Sequence, residues 1–272
     1  MAPRPALASA VAMFITACAD RGLSVSSIGQ RLAAIGSAHR DIGIETADLP
    51  TRHPVVVRVY AGIRREHGVA PVGKEAIVTA TLRDLVKPLR YTPLDVRDRA
   101  LLLVTFAGVF RRSEVVGFNA SDVGFVDDGV TLHLRRSKTD QEAAGRVVCI
   151  ARGSDVVTCP VRALRAWMDL AGAVDDEPVF RPVSSSGRIR ARRLTAQSLA
   201  LVVKRHVKRA GLDGTKFGGH SLRAGFITSC ALAGMSENKI MRQSGHRSSA
   251  TLQRYIRPAT GWVDNASADV GL

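Results

Sequence analysis

One segment of this chain alternates apolar and polar residues, whereas the segments around it have helical spacing. The segment is GVTLHLRRSKTDQEAAGRVVCIAR, in which Val130, Leu132 and Leu134 alternate with polar residues and RVVCI returns after a polar turn that contains glycine. A period of two is typical of a half-buried strand, and two such runs around a turn predict a β-hairpin. Because one hairpin forms only a small antiparallel sheet, the chain must build most of its core from helices.

The helical segments carry capping and breaking residues at their ends. Thr92 and Pro93 open one segment as a cap followed by a first-turn proline, and Gly234 and Gly245 break the C-terminal stretch into three helical pieces. Helices are also predicted in SVSSIGQRLAAIGSAHRDIG, HPVVVRVYAGIRREHG, RRSEVVGF, CPVRALRAWMDLAG and LTAQSLALVVKRHVKRAG. The fold class that follows is mainly α with a small antiparallel sheet.

The predicted helices fall into two groups separated by GVAPVGKEA, which contains Gly and Pro and has no periodicity. We therefore expect a small all-α domain at 1–70, a linker at 71–77 and a larger domain at 78–272. The larger domain contains the hairpin.

The charge balance of the chain favours a polyanionic partner. Lys and Arg number 39 against 24 Asp and Glu, which gives a formal net charge of +15, and nucleic acid is the usual polyanion for such a surface. The four cysteines are far apart and form no CxxC, so neither a zinc site nor a disulfide framework is expected, and a reducing cytoplasm fits. The N-terminal stretch is interpreted as an amphipathic helix rather than a signal peptide, and no membrane span is expected.

The polar residues indicate how this chain could act on a phosphodiester. Metal-dependent enzymes use clustered carboxylates, but Asp127-Asp128 and Asp175-Asp176-Glu177 stand in turn-like contexts beside Gly or Pro. A metal-free route uses Arg, Lys and His instead, and Arg suits it because its planar fork binds two oxygens at once. In HSLRAG, His220 and Arg223 lie on one helical face. Tyr255 fits two roles at this point, a half-buried helix residue or a nucleophile.

The order of the motifs is more specific than any one of them. GVFRRSEVVGFNASDV, the hairpin with SKTDQ, HSLRAG, SGH and TLQRYIRP follow one another at compatible distances, and together they resemble the tyrosine recombinase (phage integrase) family over nearly the whole chain. The resemblance implies an all-α DNA-clamping domain followed by an α+β catalytic domain. It also implies site-specific DNA recombination by metal-free transesterification through a 3′-phosphotyrosyl intermediate, with no cofactor.

The resemblance assigns the residues that would hold the scissile phosphate. Arg111 and Arg223 match the two catalytic arginines, which stabilise the charge of the pentavalent transition state. Arg112 competes with its neighbour, although the R-x-S-E spacing favours Arg111. Glu114 is expected to orient its neighbours.

The remaining catalytic roles also come from the resemblance. Lys138, on the hairpin turn, matches the lysine that protonates the leaving 5′ oxygen, although an ordinary charged turn residue is the alternative. His220 matches an acid/base partner and His246 a hydrogen-bond donor to the phosphate. Tyr255 matches the nucleophile.

The resemblance further implies double-stranded DNA as partner, a homotetramer on two DNA sites and a cytoplasmic, nucleoid-associated location. The predicted DNA contacts are Ser26, Ser27, Gln30 and Arg31 at the polar start of a helix, and Lys204 and Arg205 near another helix end. For the last two, solvation and favourable charge at a helix C-terminus are an equal alternative.

Two departures from the family pattern bear on assembly. The family's clamping domain usually has one or two further helices before the segment that matches ALASAVAMFITACADRG, and this chain begins at that segment, so we expect a truncated clamp. The last 17 residues are expected to pack into a neighbouring subunit rather than fray. A type IB topoisomerase and a non-catalytic, truncated DNA-binding relic remain alternatives.

Overall fold

The computed structural model describes residues 5–68, 73–135, 145–246, 248–260 and 267, and the chain divides into two compact units, Met1–Val72 and Gly73–Leu272. The first unit contains helices α1 (Ala8–Asp20), α2 (Val25–Asp41) and α3 (Pro54–Glu66), with short 3-10 turns at Thr46–Asp48 and Pro50–Arg52. Among the described residues, no helix is long and apolar enough to cross a membrane.

A small apolar core holds the first unit together. The side chains of Ile15, Ile28 and Val56, one from each helix, are fully buried. Helix α2 begins at the cap Ser24, whose side chain accepts a hydrogen bond from the Ser27 amide at 3.2 Å. Leu32 and Ile35 of the same helix pack against this core.

The second unit is mainly helical with one small sheet, which confirms the predicted fold class. Its helices are α4 (Thr79–Val86), α5 (Pro93–Ala107), α6 (Arg112–Gly117), α7 (Pro160–Ala171), α8 (Ala196–Arg209), α9 (Ser221–Leu232), α10 (Glu237–Ser244) and α11 (Ser249–Thr260), with a 3-10 turn at Ala120–Asp122. Its strands are β1 (Val123–Val126), β2 (Gly129–Leu134) and β3 (Arg146–Ala151), antiparallel in that order.

Helix α5 is the centre of the second unit. The Thr92 side chain caps it by accepting from the Asp95 amide at 3.2 Å, and the run from Leu101 to Val104 is buried on all sides. A helix that is apolar all round must be surrounded by other elements, and α7, α8 and α9 pack against α5. The core-facing side of the sheet, including Leu132 paired with Val148, joins the same core.

A buried ion cluster connects α5 to α8. Asp98 has no exposed surface and contacts Arg97, Arg205 and His206, the last at 2.7 Å from Nε2 to the carboxylate. Burial alone would raise the pKa of Asp98, but the hydrogen bond with His206 and the two guanidinium charges outweigh it and hold the pKa below its usual range. Because a buried carboxylate without partners is very costly, this cluster must form as a unit.

The last part of the expected linker runs along the second unit. The amide of Glu75 donates to the Lys216 carbonyl at 2.9 Å, and the amide of Ile77 donates to the Ser221 carbonyl at 2.9 Å. Gly225 of α9 lies against this strand-like segment so closely that a Cβ there would stand 1.8 Å from the Ile77 carbonyl oxygen. Helix α9, which carries the HSLRAG motif, is thereby fixed against the start of the unit.

Candidate active site

Arg111 stands at the start of α6, where the chain leaves a strained turn. Helix α5 ends at Gly108, and Val109 adopts φ 54°, a left-handed conformation that is unfavourable for a β-branched residue. The Arg111 amide donates to the Glu114 carboxylate at 2.8 Å, and its guanidinium donates to the other carboxylate oxygen at 2.6 Å. Glu114 is buried, so it orients Arg111, whose side chain is 28% exposed.

Arg223 lies beneath this turn, on α9, and is almost completely buried. Its guanidinium donates to the Ser244 carbonyl at 2.9 Å and to the carbonyl of the strained Val109. Burial, together with the charge of Arg111, lowers the pKa of Arg223 to about 10, so it stays protonated at neutral pH. Arg223 thus connects the α5–α6 turn to the end of α10 while keeping a positive charge in the site.

His220 and Tyr255 form a direct pair. His220 precedes α9, Tyr255 is on α11, and Nε2 of the histidine lies 2.7 Å from the tyrosine hydroxyl. Burial, then the charges of Arg223 and Arg111, lower the pKa of His220. The histidine is therefore neutral at pH 7 and is able to accept the phenolic proton.

The ring of Tyr255 is also half-buried against a small apolar cluster that includes Val109, Ile227 and Leu252. The two roles that its sequence context allowed, packing and reactivity, are therefore compatible. Packing of the ring fixes the direction of its hydroxyl.

His246 stands directly after α10, which ends at Gly245 in the left-handed conformation with φ 68°. Its Nε2 lies 3.2 Å from a guanidinium nitrogen of Arg223, and its Nδ1 lies 2.7 Å from the Ser244 hydroxyl. A guanidinium can only donate, so Nε2 accepts and Nδ1 carries the proton in this arrangement. Burial and the Arg223 charge lower the pKa of His246 to about 4, which leaves the ring neutral.

Of the predicted catalytic residues, the structure brings together Arg111, His220, Arg223, His246 and Tyr255. The charge of Arg111 acts on His220, Arg223 and His246, which supports it over the exposed Arg112. Lys138 lies outside the described residues. Within the described part of the chain, no three acidic, His or Cys side chains form a group that could hold a metal ion.

One residue of the site is absent from the sequence-based prediction. Arg146, the first residue of β3, donates to the Gln243 carbonyl at 3.2 Å, and its charge affects both Arg223 and His246. The only signal in the sequence is an arginine that opens RVVCI directly after the lysine-containing turn. Nothing in that pattern indicates that α10, 97 residues later, would meet it.

The predicted DNA contacts have different surroundings. Ser26, Gln30 and Lys204 are exposed, and Ser27 is part of the α2 cap. Arg31 lies over the Phe14 ring at 5.9 Å and donates to the Cys18 sulfur at 3.4 Å.

The guanidinium of Arg205 is paired with buried Asp98, and its side chain is still 41% exposed. Its contact with a DNA phosphate therefore stays a prediction. Lys204, its exposed neighbour, has no such pairing with Asp98.

Comparisons with known proteins identify the family of this chain. Residues 76–261 match the model of the phage integrase family. The chain is 36% identical over 265 residues to an integrase/recombinase xerD homolog of Selenomonas ruminantium, covering 96% of this chain and 76% of that protein. It is 27% identical over 256 residues to recombinase cre of Escherichia phage P1, covering 87% of this chain and 72% of that protein.

A solved recombinase structure has a similar fold. The structure of XerH site-specific recombinase, bound to a palindromic difH substrate in a post-cleavage complex, matches with a TM-score of 0.66 and 17% identity. The match covers 97% of this chain and 72% of that one. Relatives of this kind favour recombination over the topoisomerase and non-catalytic alternatives. The chain belongs to the phage integrase family and is a tyrosine recombinase, an enzyme that cleaves and rejoins DNA.

Proposed function

We propose that Tyr255 is the nucleophile of site-specific recombination and that His220 takes its proton. The observation that carries this assignment is the 2.7 Å contact between the tyrosine hydroxyl and Nε2 of a histidine whose pKa is lowered by burial. A phenol with an ordinary pKa of about 10 is almost entirely protonated at pH 7. A neutral imidazole within hydrogen-bond reach removes that proton as the new bond to phosphorus forms.

Arg111 and Arg223 bind the non-bridging oxygens of the scissile phosphate. Their two guanidiniums provide fixed positive charge where the transition state gains negative charge. Both are held before DNA arrives, Arg111 by Glu114 and Arg223 by two backbone carbonyls. Preorganised charge of this kind needs no rearrangement during the reaction.

The bond changes balance without an external energy source. The Tyr255 oxygen bonds to phosphorus, the bond from phosphorus to the 5′ oxygen breaks, and Lys138 gives that oxygen a proton. His246 donates a hydrogen bond to the phosphate through its Nε2–H tautomer, in which the Ser244 hydroxyl donates to Nδ1 instead of accepting from it. The 5′ hydroxyl of a partner strand then gives its proton to Lys138 and attacks the phosphotyrosyl link. The bond from phosphorus to the Tyr255 oxygen breaks, and His220 returns the proton to the tyrosine.

The proposed assembly is a homotetramer on two duplex DNA sites. The net charge of +15 favours association with DNA, and the structurally similar XerH recombinase is bound to a DNA substrate. Residues 1–70 form the DNA clamp, with Ser26 and Gln30 on an exposed face of α2.

Strand transfer between two differently labelled duplexes tests this function. Each duplex carries DNA that flanks the gene, and the protein is incubated with both, without metal or ATP. We expect hybrid strands with the wild type and none with Tyr255→Phe. Relaxation of a supercoiled plasmid without hybrid strands would instead indicate a topoisomerase, and binding without either product would indicate a non-catalytic DNA-binding protein.

A further inference from the structure

Arg146 occupies the joint between the hairpin and the turn that carries His246. Its guanidinium donates to the Gln243 carbonyl in the last turn of α10 at 3.2 Å. It also lies flat against Gly245, where a Cβ would stand 2.8–3.3 Å from its Nη1, Cζ and Nε atoms. Gly245 has φ 68° and directly precedes His246. Arg146 therefore packs against the residue whose left-handed backbone leads into the histidine.

A second set of contacts to the same turn is made by the side chain of Gln243. The Gln243 side chain donates to the Ala107 carbonyl at the end of α5 at 2.9 Å and to the Cys149 carbonyl of β3 at 3.1 Å. Arg223 holds the next carbonyl, that of Ser244. Three consecutive residues before His246 are therefore held by groups from β3, α5 and α9.

The charge of Arg146 also belongs to the site. It is half-buried, and burial lowers its pKa, with smaller effects from the charges of Glu114 and Arg111. Arg146, Arg111 and Arg223 bring three positive charges together with one carboxylate, Glu114. An excess of buried positive charge is costly in the free protein and is offset when a phosphate enters.

From these contacts we infer that Arg146 is a positioning residue for DNA cleavage, which holds the Gln243–His246 turn so that His246 meets the scissile phosphate. It acts through the histidine rather than on the reacting atoms. This inference rests on the proposed roles of Tyr255 and His246.

The test measures the rate of covalent adduct formation on a nicked duplex that loses a short 5′-hydroxyl fragment on cleavage. With Arg146→Gln we expect the rate at saturating DNA to fall about 10- to 100-fold, the usual effect of a small misplacement in a site. The DNA concentration for half-saturation should change less than about threefold, since the residue positions a catalytic group. Arg146→Lys should recover part of the rate, because it restores the charge and one hydrogen bond.

The matched control is Arg152→Gln, which removes a positive charge just beyond the other end of β3. Arg152 is exposed and donates to the Asp127 carbonyl, away from the site. We expect its adduct rate to equal that of the wild type. If Arg146→Gln behaves like Arg152→Gln, the inference is wrong.

A double-mutant cycle with His246→Ala separates positioning from general loss of structure. If Arg146 acts through His246, the double variant should be within about threefold of the slower single variant, because residues that act as a unit are not additive. Multiplied losses would overturn the inference. Should Arg146→Gln fail to fold, Gln243→Ala removes the second set of contacts and is placed in the same cycle, with the same two outcomes.

The same assay distinguishes this inference from the proposed function. Absence of adduct with the wild type would contradict the role of Tyr255 itself. If the wild type forms the adduct normally but the rate losses of the two single variants multiply in the double variant, only the role of Arg146 would be contradicted.

Discussion

At the scale of single residues, the candidate site places two histidines with lowered pKa values beside the guanidiniums of Arg111 and Arg223. His220 contacts the Tyr255 hydroxyl, and His246 contacts Arg223. Burial and the surrounding positive charge lower the pKa of both rings, that of His246 to about 4. A neutral ring can accept the tyrosine proton, whereas a protonated ring cannot.

The acid limb of the pH–rate profile should therefore lie below the ordinary histidine pKa of about 6.5. As pH falls through 6.5, an unperturbed histidine would become protonated and inactive, but a group with a lowered pKa stays neutral and the adduct rate is maintained. Single-turnover adduct formation from pH 5 to pH 8 measures this limb. A midpoint at or above 6.5 would contradict the neutral His220.

The sequence predicts the candidate catalytic residues better than it predicts the residues that contact them. Arg111, His220, Arg223, His246 and Tyr255 stand in ordered motifs, so their meeting is predictable from the family resemblance. Arg146 has no motif of its own, because its role depends on α10 folding back against β3. The pairing of Arg205 with Asp98 is equally hidden, since the two residues are 107 positions apart.

At the scale of elements, caps and periodicity predict the long helices well. Thr92, Thr195 and Gly172 bound α5, α8 and α7 as the local sequence indicates. Helix α4 and strand β1 are not predicted, because both are short and take their stability from tertiary contacts: Leu82 and Leu85 enter the core, and β1 pairs with β2. Local propensity carries little signal for elements of this kind.

The close contact between α9 and the segment around Ile77 gives a prediction about stability. In Gly225→Ala the new methyl group would overlap the Ile77 carbonyl and disturb the hydrogen bond from the Ile77 amide to the Ser221 carbonyl. We therefore expect the free energy of unfolding of the second unit to fall by about 1–3 kcal/mol or more. Gly117→Ala is the control, because a Cβ there has open space. Its effect should stay within about 1 kcal/mol.

Tryptophan fluorescence during urea unfolding measures this difference. Both tryptophans of the chain, including buried Trp167, lie in the second unit. Equal midpoints for Gly225→Ala and Gly117→Ala would show that α9 does not need this close approach. A lower midpoint in Gly225→Ala alone would show that the stability of the second unit depends on this contact between α9 and the Ile77 segment.

At the scale of the whole molecule, the net charge and the order of the two units are both consistent with a DNA-binding enzyme. The formal net charge is +15, and a mainly helical catalytic unit follows a small helical unit. Composition alone indicates only a polyanion partner, because net charge carries no information on chemistry.

The proposed function requires that Tyr255 becomes covalently bound to DNA. The most direct measurement uses the nicked duplex to trap the adduct, followed by protease digestion and mass spectrometry of the DNA-bearing peptide. The chain has three tyrosines, Tyr60, Tyr91 and Tyr255, so Tyr91→Phe is a matched control for an exposed phenol. We expect DNA on Tyr255, no adduct with Tyr255→Phe and a normal adduct with Tyr91→Phe. DNA on another residue, or an adduct that persists in Tyr255→Phe, would contradict the account.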